Sequence, residues 1–355
     1  SNGQDVADLD YLLENVAIAT VADVMDLTEE NRILVKQGLE MLKRTSNLGL
    51  RALIQCIGLE GKKIQAYHIG FILAPCLNAS GKLDTAKRAL ALLRAKTERE
   101  ADMLAGDLKA LNESRRDMTD RVVDEAMAKV EQTDIRGDKV LVIYLPDCHE
   151  SLAGLVAGRV RENYYRPVFV LTDSEDGVKG SGRSIESYSM YEELTGCGDL
   201  LTKFGGHPMA AGLSLDKENV EKFKRRLNDQ CTLSEEELTE KVVIDMELPF
   251  AAITEHFIEE LEYMEPFGKG NTKPVFAARG VVMQHVKIIG KNKNVAKATA
   301  IDAAGNRMEA ICFHDAQEFA ERCERDNGKM SITFYPGIKE FRGDRQIQIV
   351  ITHYR

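Results

Sequence analysis

From Asp84 to Gln132 the chain has no proline and a single glycine, Gly106. Leu, Ala, Met and Val recur there at helical spacing among dense Arg, Glu and Asp, so one or two long helices are predicted. A helix of that reach matches the width of a small domain, so the stretch is expected to join two domains. With 355 residues there is room for two or three. On the near side, residues 4–60 alternate short apolar runs with acidic turns. On the far side the texture changes. KVLVIYLP (Lys139–Pro146) reads as a buried strand, LAGLVAGRVRENY (Leu152–Tyr164) as a helix and RPVFVLTD (Arg166–Asp173) as a second strand. VKGSGRSIES (Val178–Ser187) reads as an edge strand or loop, and MYEELTGCGDLLTKF (Met190–Phe204) as a helix. AAGLSLD (Ala210–Asp216) then reads as a strand and ENVEKFKRRLNDQC (Glu218–Cys231) as a helix. That alternation is the pattern of a compact α/β domain. Residues 232–265 are acidic and read as a connector. From Pro266 about five short strands with Gly-Asn and Gly-Asp turns fit a small barrel of OB type.

Two glycine-rich stretches stand out. In GGHPMAAG (Gly205–Gly212), Gly205 suits the stop of the preceding helix. Gly206, His207 and the small residues after them suit a chain that approaches a phosphate or a base edge with its backbone amides. The alternative for His207 is a partly buried polar residue. In KGSGRS (Lys179–Ser184), Gly180 and Gly182 expose backbone amides, Ser181 offers a hydroxyl and Arg183 a bidentate fork. Gly/Ser turns are common, so this stretch gains meaning only if it lies beside His207. Asp23 sits inside the apolar run VAIATVADVMDL (Val16–Leu27), either as a metal ligand or in a helix cap or surface turn. In APCLNASGKLDTA (Ala74–Ala86), Pro75 and Gly81 mark a loop entering a helix. Asn78, Ser80 and Lys82 there suit a backbone phosphate or an ordinary helix start.

Charge narrows the partners. The chain carries a net charge of −10, yet seven basic residues and one acid, Glu265, fall between Glu265 and Ala300. Lys287, Lys291 and Lys293, with Phe267, Phe276, Phe334, Tyr335 and Phe341, fit a strand-binding groove with stacking platforms. A solvated lysine face over core phenylalanines fits equally. Seven scattered cysteines without a C-x-x-C pair point to reduced thiols in the cytoplasm, not to zinc or disulfides. No apolar run reaches the roughly 18 residues of a membrane helix, and no signal peptide is read. Ser1-Asn2-Gly3 reads as a protease-cleavage scar.

These pieces, in this order, resemble the RecJ family of single-strand-specific 5′→3′ exonucleases within the DHH phosphoesterase superfamily. The resemblance is carried by TVADVMDLTEENR (Thr20–Arg32), LNASGKL (Leu77–Leu83), HESLAGLVAGR (His149–Arg159), KGSGRS, GGHPMAAG and YMEPFGKGNTKPVF (Tyr263–Phe276). It implies an α/β multidomain chain. Residues 1–95 would be the C-terminal part of a DHH catalytic domain and 96–135 a connecting helix. A DHH-associated domain would occupy 136–232, a connector 233–265 and an OB-fold nucleic-acid-binding domain 266–355. It further implies that Asp23 ligates catalytic Mn2+ or Mg2+, and that Ser181, Gly182, Arg183, Gly205, Gly206 and His207 hold phosphates near the 5′ end. Asn78 and Lys82 would line the strand's path. Cys76 stands where many relatives carry arginine, and Lys82 replaces an arginine fork. The Asp-x-Asp, second Asp and Asp-His-His motifs are absent and would precede residue 1. The expectation is a truncated and inactive exonuclease retaining its DNA-binding parts, with single-stranded DNA as partner, single-strand-binding protein as a second, and no membrane. The alternatives are an oligonucleotide or cyclic-dinucleotide phosphodiesterase, which would lack the barrel, and a non-catalytic single-strand-binding protein.

Overall fold

The computed structural model describes residues 12–83, 87–290, 292–313, 316–341 and 344–355, with the side chains of 80–83, 326 and 341 outside the described set. The chain divides into two units, one of residues 1–45, 59–74 and 242–355, the other of 46–58 and 75–241. In chain order the first half is helical: α1 (Leu13–Ala22), α2 (Glu29–Leu42), α3 (Leu48–Cys56), α4 (Ala66–His68) running into a π-helical turn Ile69–Leu73, α5 (Ala74–Leu83), α6 (Lys87–Leu93) and α7 (Glu98–Gln132). The 35 residues of α7 form one unbroken helix, about 52 Å long at 1.5 Å per residue. Its first turn is capped by Thr97, whose hydroxyl accepts from the Glu100 amide. Ala101, Ala105 and Leu108 are buried early in α7 and Ala126 and Val130 late in it. No helix among the described residues is long and apolar enough to cross a membrane.

The rest of the second unit is a five-stranded sheet. Its elements are β1 (Leu141–Tyr144), α8 (Glu150–Tyr164), β2 (Val168–Ser174), β3 (Gly177–Arg183), α9 (Met190–Thr195), β4 (Lys203–His207), β5 (Ala210–Leu215) and α10 (Val220–Gln230). The strand order is β1-β2-β3-β5-β4. β1 and β2 are parallel, as the α8 crossover requires, and the other pairings are antiparallel. Alternation along β2 serves two cores. Phe169 and Leu171 join Phe223 and Leu227 of α10, while Val168 and Val170 join Val156 and Val160 of α8 together with Ala126 and Val130 of α7. On the latter face α8 packs over β2 and β3.

Three readings of this region need correction. KGSGRS is neither edge nor loop: β3 pairs with β2 on one side and β5 on the other. Its glycines are required by neighbours, because a Cβ on Gly180 would meet Leu171 at 2.5 Å and one on Gly182 would meet the Phe169 ring at 2.7 Å. The helix from Met190 stops at Thr195, and residues 203–207 are a strand, so Gly205 stops no helix. The loop expected at 74–81 is the helix α5, which continues without a break from α4 and the π-helical turn, so Pro75 lies inside a helical run beside that turn.

The other unit carries β6 (Met246–Glu247), α11 (Glu255–Glu262), β7 (Phe276–Ile289), β8 (Val295–Ile301), β9 (Arg307–Cys312), α12 (Ala316–Glu324), β10 (Lys329–Phe341) and β11 (Asp344–Tyr354). β7, β8, β9, β11 and β10 follow one another and close where β10 pairs back onto β7, with Phe334 opposite Phe276. This is the five-stranded closed barrel of the OB class. The acidic stretch 232–265 is more than a connector, since Leu248, Phe250, Ile253, Ile258 and Leu261 sit in the barrel's core. Phe276 and Phe334 are core residues too, 3% and 0% exposed, and so are not stacking platforms.

Candidate nucleic-acid interface

The open surface of the five-stranded sheet is built by three strands in register. Arg183 on β3 lies opposite Ala210 on β5, which lies opposite His207 on β4. One step along, Ser181, Gly212 and Gly205 form a second row, and Lys179, Ser214 and Lys203 a third. Side chains in a strand alternate between faces. Val178 and Leu213 therefore turn to the core, and the three rows share the opposite face. A cleft of about 470 Å³ opens over the second and third rows, walled by Glu150 and Ser151 at the start of α8. Its floor is bare because of glycine: nothing lies within 4 Å of where a Cβ on Gly205 would be, and the nearest atom to one on Gly212 is at 3.9 Å.

Arg183 is half-buried at the edge of this face. Its Nη1 donates to the Gly182 carbonyl at 2.8 Å. Gly154 on α8 makes room for it, since a Cβ there would stand 2.7 Å from Nη2. Burial, and then the nearby Arg161 charge, hold the Arg183 pKa below its ordinary value. Among the described residues no carboxylate forms an ion pair with Arg183. A planar fork held this way, beside a second guanidinium, favours an incoming anion. Ser181, Gly205 and exposed His207 share its face, so KGSGRS and GGHPMAAG do converge. Gly182 and Gly206 serve the fold. Gly182 faces Phe169 and Met190 in the core, and Gly206 has φ +152° with its Cβ position 2.4 Å from the Ala210 carbonyl oxygen.

The other sequence candidates are spread over both units. Asp23 is exposed at the C-cap of α1, next to Val24 at φ +55°. Among the described residues no group of three or more His, Cys, Asp or Glu is placed to hold a metal. Asp23 by itself is too few donors for Mg2+ or Mn2+. Asn78 is exposed on α5, while the side chain of Lys82 lies outside the described residues. Cys76 is buried, and burial pushes its thiol up to about 11, so it presents nothing to a strand.

On the barrel, Lys287 of β7 pairs with Lys297 of β8 beside a depression of about 260 Å³ that His285, Thr299 and Arg307 also line. Lys293 sits in the β7–β8 turn at φ +51°. Lys291 and the Phe341 side chain lie outside the described residues. Part of the basic window is neutralised within the fold. Lys297 pairs with Glu309 at 2.5 Å, Lys269 with Asp26 at 2.9 Å and Arg279 with Glu247 at 3.6 Å. Lys273 lies over the Tyr335 ring at 4.8 Å.

Sequence reasoning missed Lys179, Lys203, Glu150 and Gly154. The signal for the two lysines was period-2 spacing: Lys179 is two residues from Ser181 and Lys203 two from Gly205. It became readable only with both segments assigned as strands.

Comparison with known proteins bears on the whole chain. Residues 137–233 match the DHHA1 domain and residues 244–353 the RecJ OB domain. The single-stranded-DNA-specific exonuclease RecJ of Bacillus subtilis (strain 168) is 35% identical over 346 residues, 96% of this chain and 44% of that protein. Its counterpart in Escherichia coli (strain K12) is 32% identical over 358 residues, 98% of this chain and 61% of that protein. The crystal structure of RecJ in complex with Mg2+ from Thermus thermophilus superposes with a TM-score of 0.81 at 26% identity, covering 98% of this chain and 52% of that one. A second crystal structure of that protein is in complex with Mn2+. The chain thus spans about half the length of the relatives it matches. A DHHA1 domain followed by a RecJ OB domain, on a chain aligned almost end to end with RecJ exonucleases, means that it belongs to the RecJ family.

Proposed function

We propose that this chain is the strand-gripping part of a 5′→3′ single-strand-specific exonuclease, and that alone it binds single-stranded DNA without cutting it. The convergence of Ser181, Arg183, Gly205 and His207 on one open sheet face carries the reading. Arg183 and Ser181 take the phosphate at the 5′ end, His207 donates from β4 on the far side of β5, and the bare backbone at Gly205 lets the nucleotide sit close. Lys287 and Lys293 on the barrel attract the rest of the strand through its phosphates. Asn78 and Lys82 border the path. Divalent metal is the group that supplies activated water in such hydrolysis, and Mg2+ or Mn2+ accompanies similar structures. Asp23 would be one donor toward it, and the donors needed beside Asp23 are not among the described residues. No disulfide joins the seven cysteines, which suits a reducing cytoplasm. Single-strand-binding protein as a partner rests on the family resemblance alone.

The test is competition between single-stranded and duplex DNA of the same sequence, with Mn2+ present. Preferential, salt-sensitive retention of the single strand is expected, with no nucleotides released. Equal affinity for duplex contradicts the binding reading. Metal-dependent digestion that Asp23→Ala abolishes contradicts the inactivity.

A further inference from the structure

We infer that the Lys179–Lys203 row is a second phosphate subsite, one nucleotide along from the 5′-phosphate subsite, and that it fixes the direction in which a strand crosses the sheet. The inference rests on the reading of Ser181, Arg183 and His207 as the 5′-phosphate subsite. Neighbouring rows are two residues apart along the strands, about 6.7 Å at the rise of a β-strand. That step is comparable to the phosphate-to-phosphate step of an extended single strand. A first phosphate held between the Arg183 and Ser181 rows therefore places the second between the Ser181 and Lys179 rows, over the cleft. The glycine row between leaves room for the sugar.

The charges are arranged for such a ligand. Lys179 Nζ is 2.6 Å from the Glu150 carboxylate across the mouth of the cleft. Lys203 is exposed and forms no ion pair among the described residues. Lys203 is thus the standing cation of the subsite, while Glu150 occupies Lys179 until a phosphate displaces it. The hydroxyls of Ser181 and Ser214 line the same cleft and add neutral donors.

The experiment measures displacement of a labelled 5′-phosphorylated oligothymidylate by thymidine, by thymidine 5′-monophosphate (pdT) and by the dinucleotide pdTpdT. It uses the unaltered chain, Lys203→Ala and Glu150→Gln. Unaltered chain is expected to bind pdTpdT several-fold more tightly than pdT. Lys203→Ala leaves pdT within twofold, brings pdTpdT down to pdT, and lowers the single-strand salt slope by about 0.7. Glu150→Gln tightens pdTpdT and leaves pdT unchanged, because it releases Lys179. Both residues are exposed, so neither change reaches the core. If Lys203→Ala weakens pdT and pdTpdT equally, or changes neither, the second subsite is wrong while the first stands. If the unaltered chain does not prefer pdT over thymidine, the 5′-phosphate reading fails and the second subsite falls with it.

Discussion

Arg183→Ala lowers affinity for a 5′-phosphorylated single strand by about 10- to 150-fold. Hydrogen bonds to a charged group contribute about 1.5–3 kcal/mol, and each 1.4 kcal/mol is tenfold in binding. The guanidinium is half-buried, faces Arg161 rather than an acid, and is held by one backbone carbonyl. Its removal takes away the charge that a phosphate needs while relieving a like-charge contact. Thermal stability is therefore expected to hold or rise slightly. Arg183→Lys keeps the charge, loses the fork and falls between the two. Fluorescence anisotropy read beside a thermal melt separates the effects. Unchanged affinity, or a loss that tracks a lowered melting temperature, contradicts the assignment.

Phe334→Ala costs about 3–5 kcal/mol of barrel stability, the usual result of emptying a phenylalanine site in a packed core. Phe334 is fully buried, meets Phe250 edge-on at 5.9 Å and leans on Phe276 at 6.2 Å. It stands where β10 closes onto β7, so the cavity opens at the barrel's seam. A domain's whole stability is about 5–15 kcal/mol, and the substitution removes a large share. Urea denaturation followed by circular dichroism is expected to move the barrel's transition to markedly lower urea. A stacking platform for bases would behave in the opposite way, losing affinity and keeping stability.

Much of this architecture was legible because it is locally written. β1, β2 and the barrel strands announce themselves by apolar and β-branched runs, and α8 and α10 by helical spacing. β3 was legible only as an edge strand or loop, because its glycines answer to Phe169, Leu171 and Met190, residues brought close only by folding. The extension of α9 failed for a related reason. Leu200 and Leu201 keep helical spacing, yet Leu200 belongs to a 3-10 turn between α9 and β4. At the site, Ser181, Arg183 and His207 were readable as residue types. Their convergence was not, since it depends on the β3-β5-β4 register. Gly205 illustrates the difference: sequence made it a helix stop, and the sheet makes it the bare floor of a cleft.

A terminal phosphate held on the open face of the DHHA1 sheet must show itself as a preference for a phosphorylated 5′ end. The most direct measurement is the affinity of the unaltered chain for one oligothymidylate bearing either a 5′-phosphate or a 5′-hydroxyl, by anisotropy across a salt series. Tighter binding of the phosphorylated strand is expected at every salt concentration. Equal affinity for the two strands, with a steep common salt slope, would leave binding to general charge attraction and contradict a phosphate site beside Arg183.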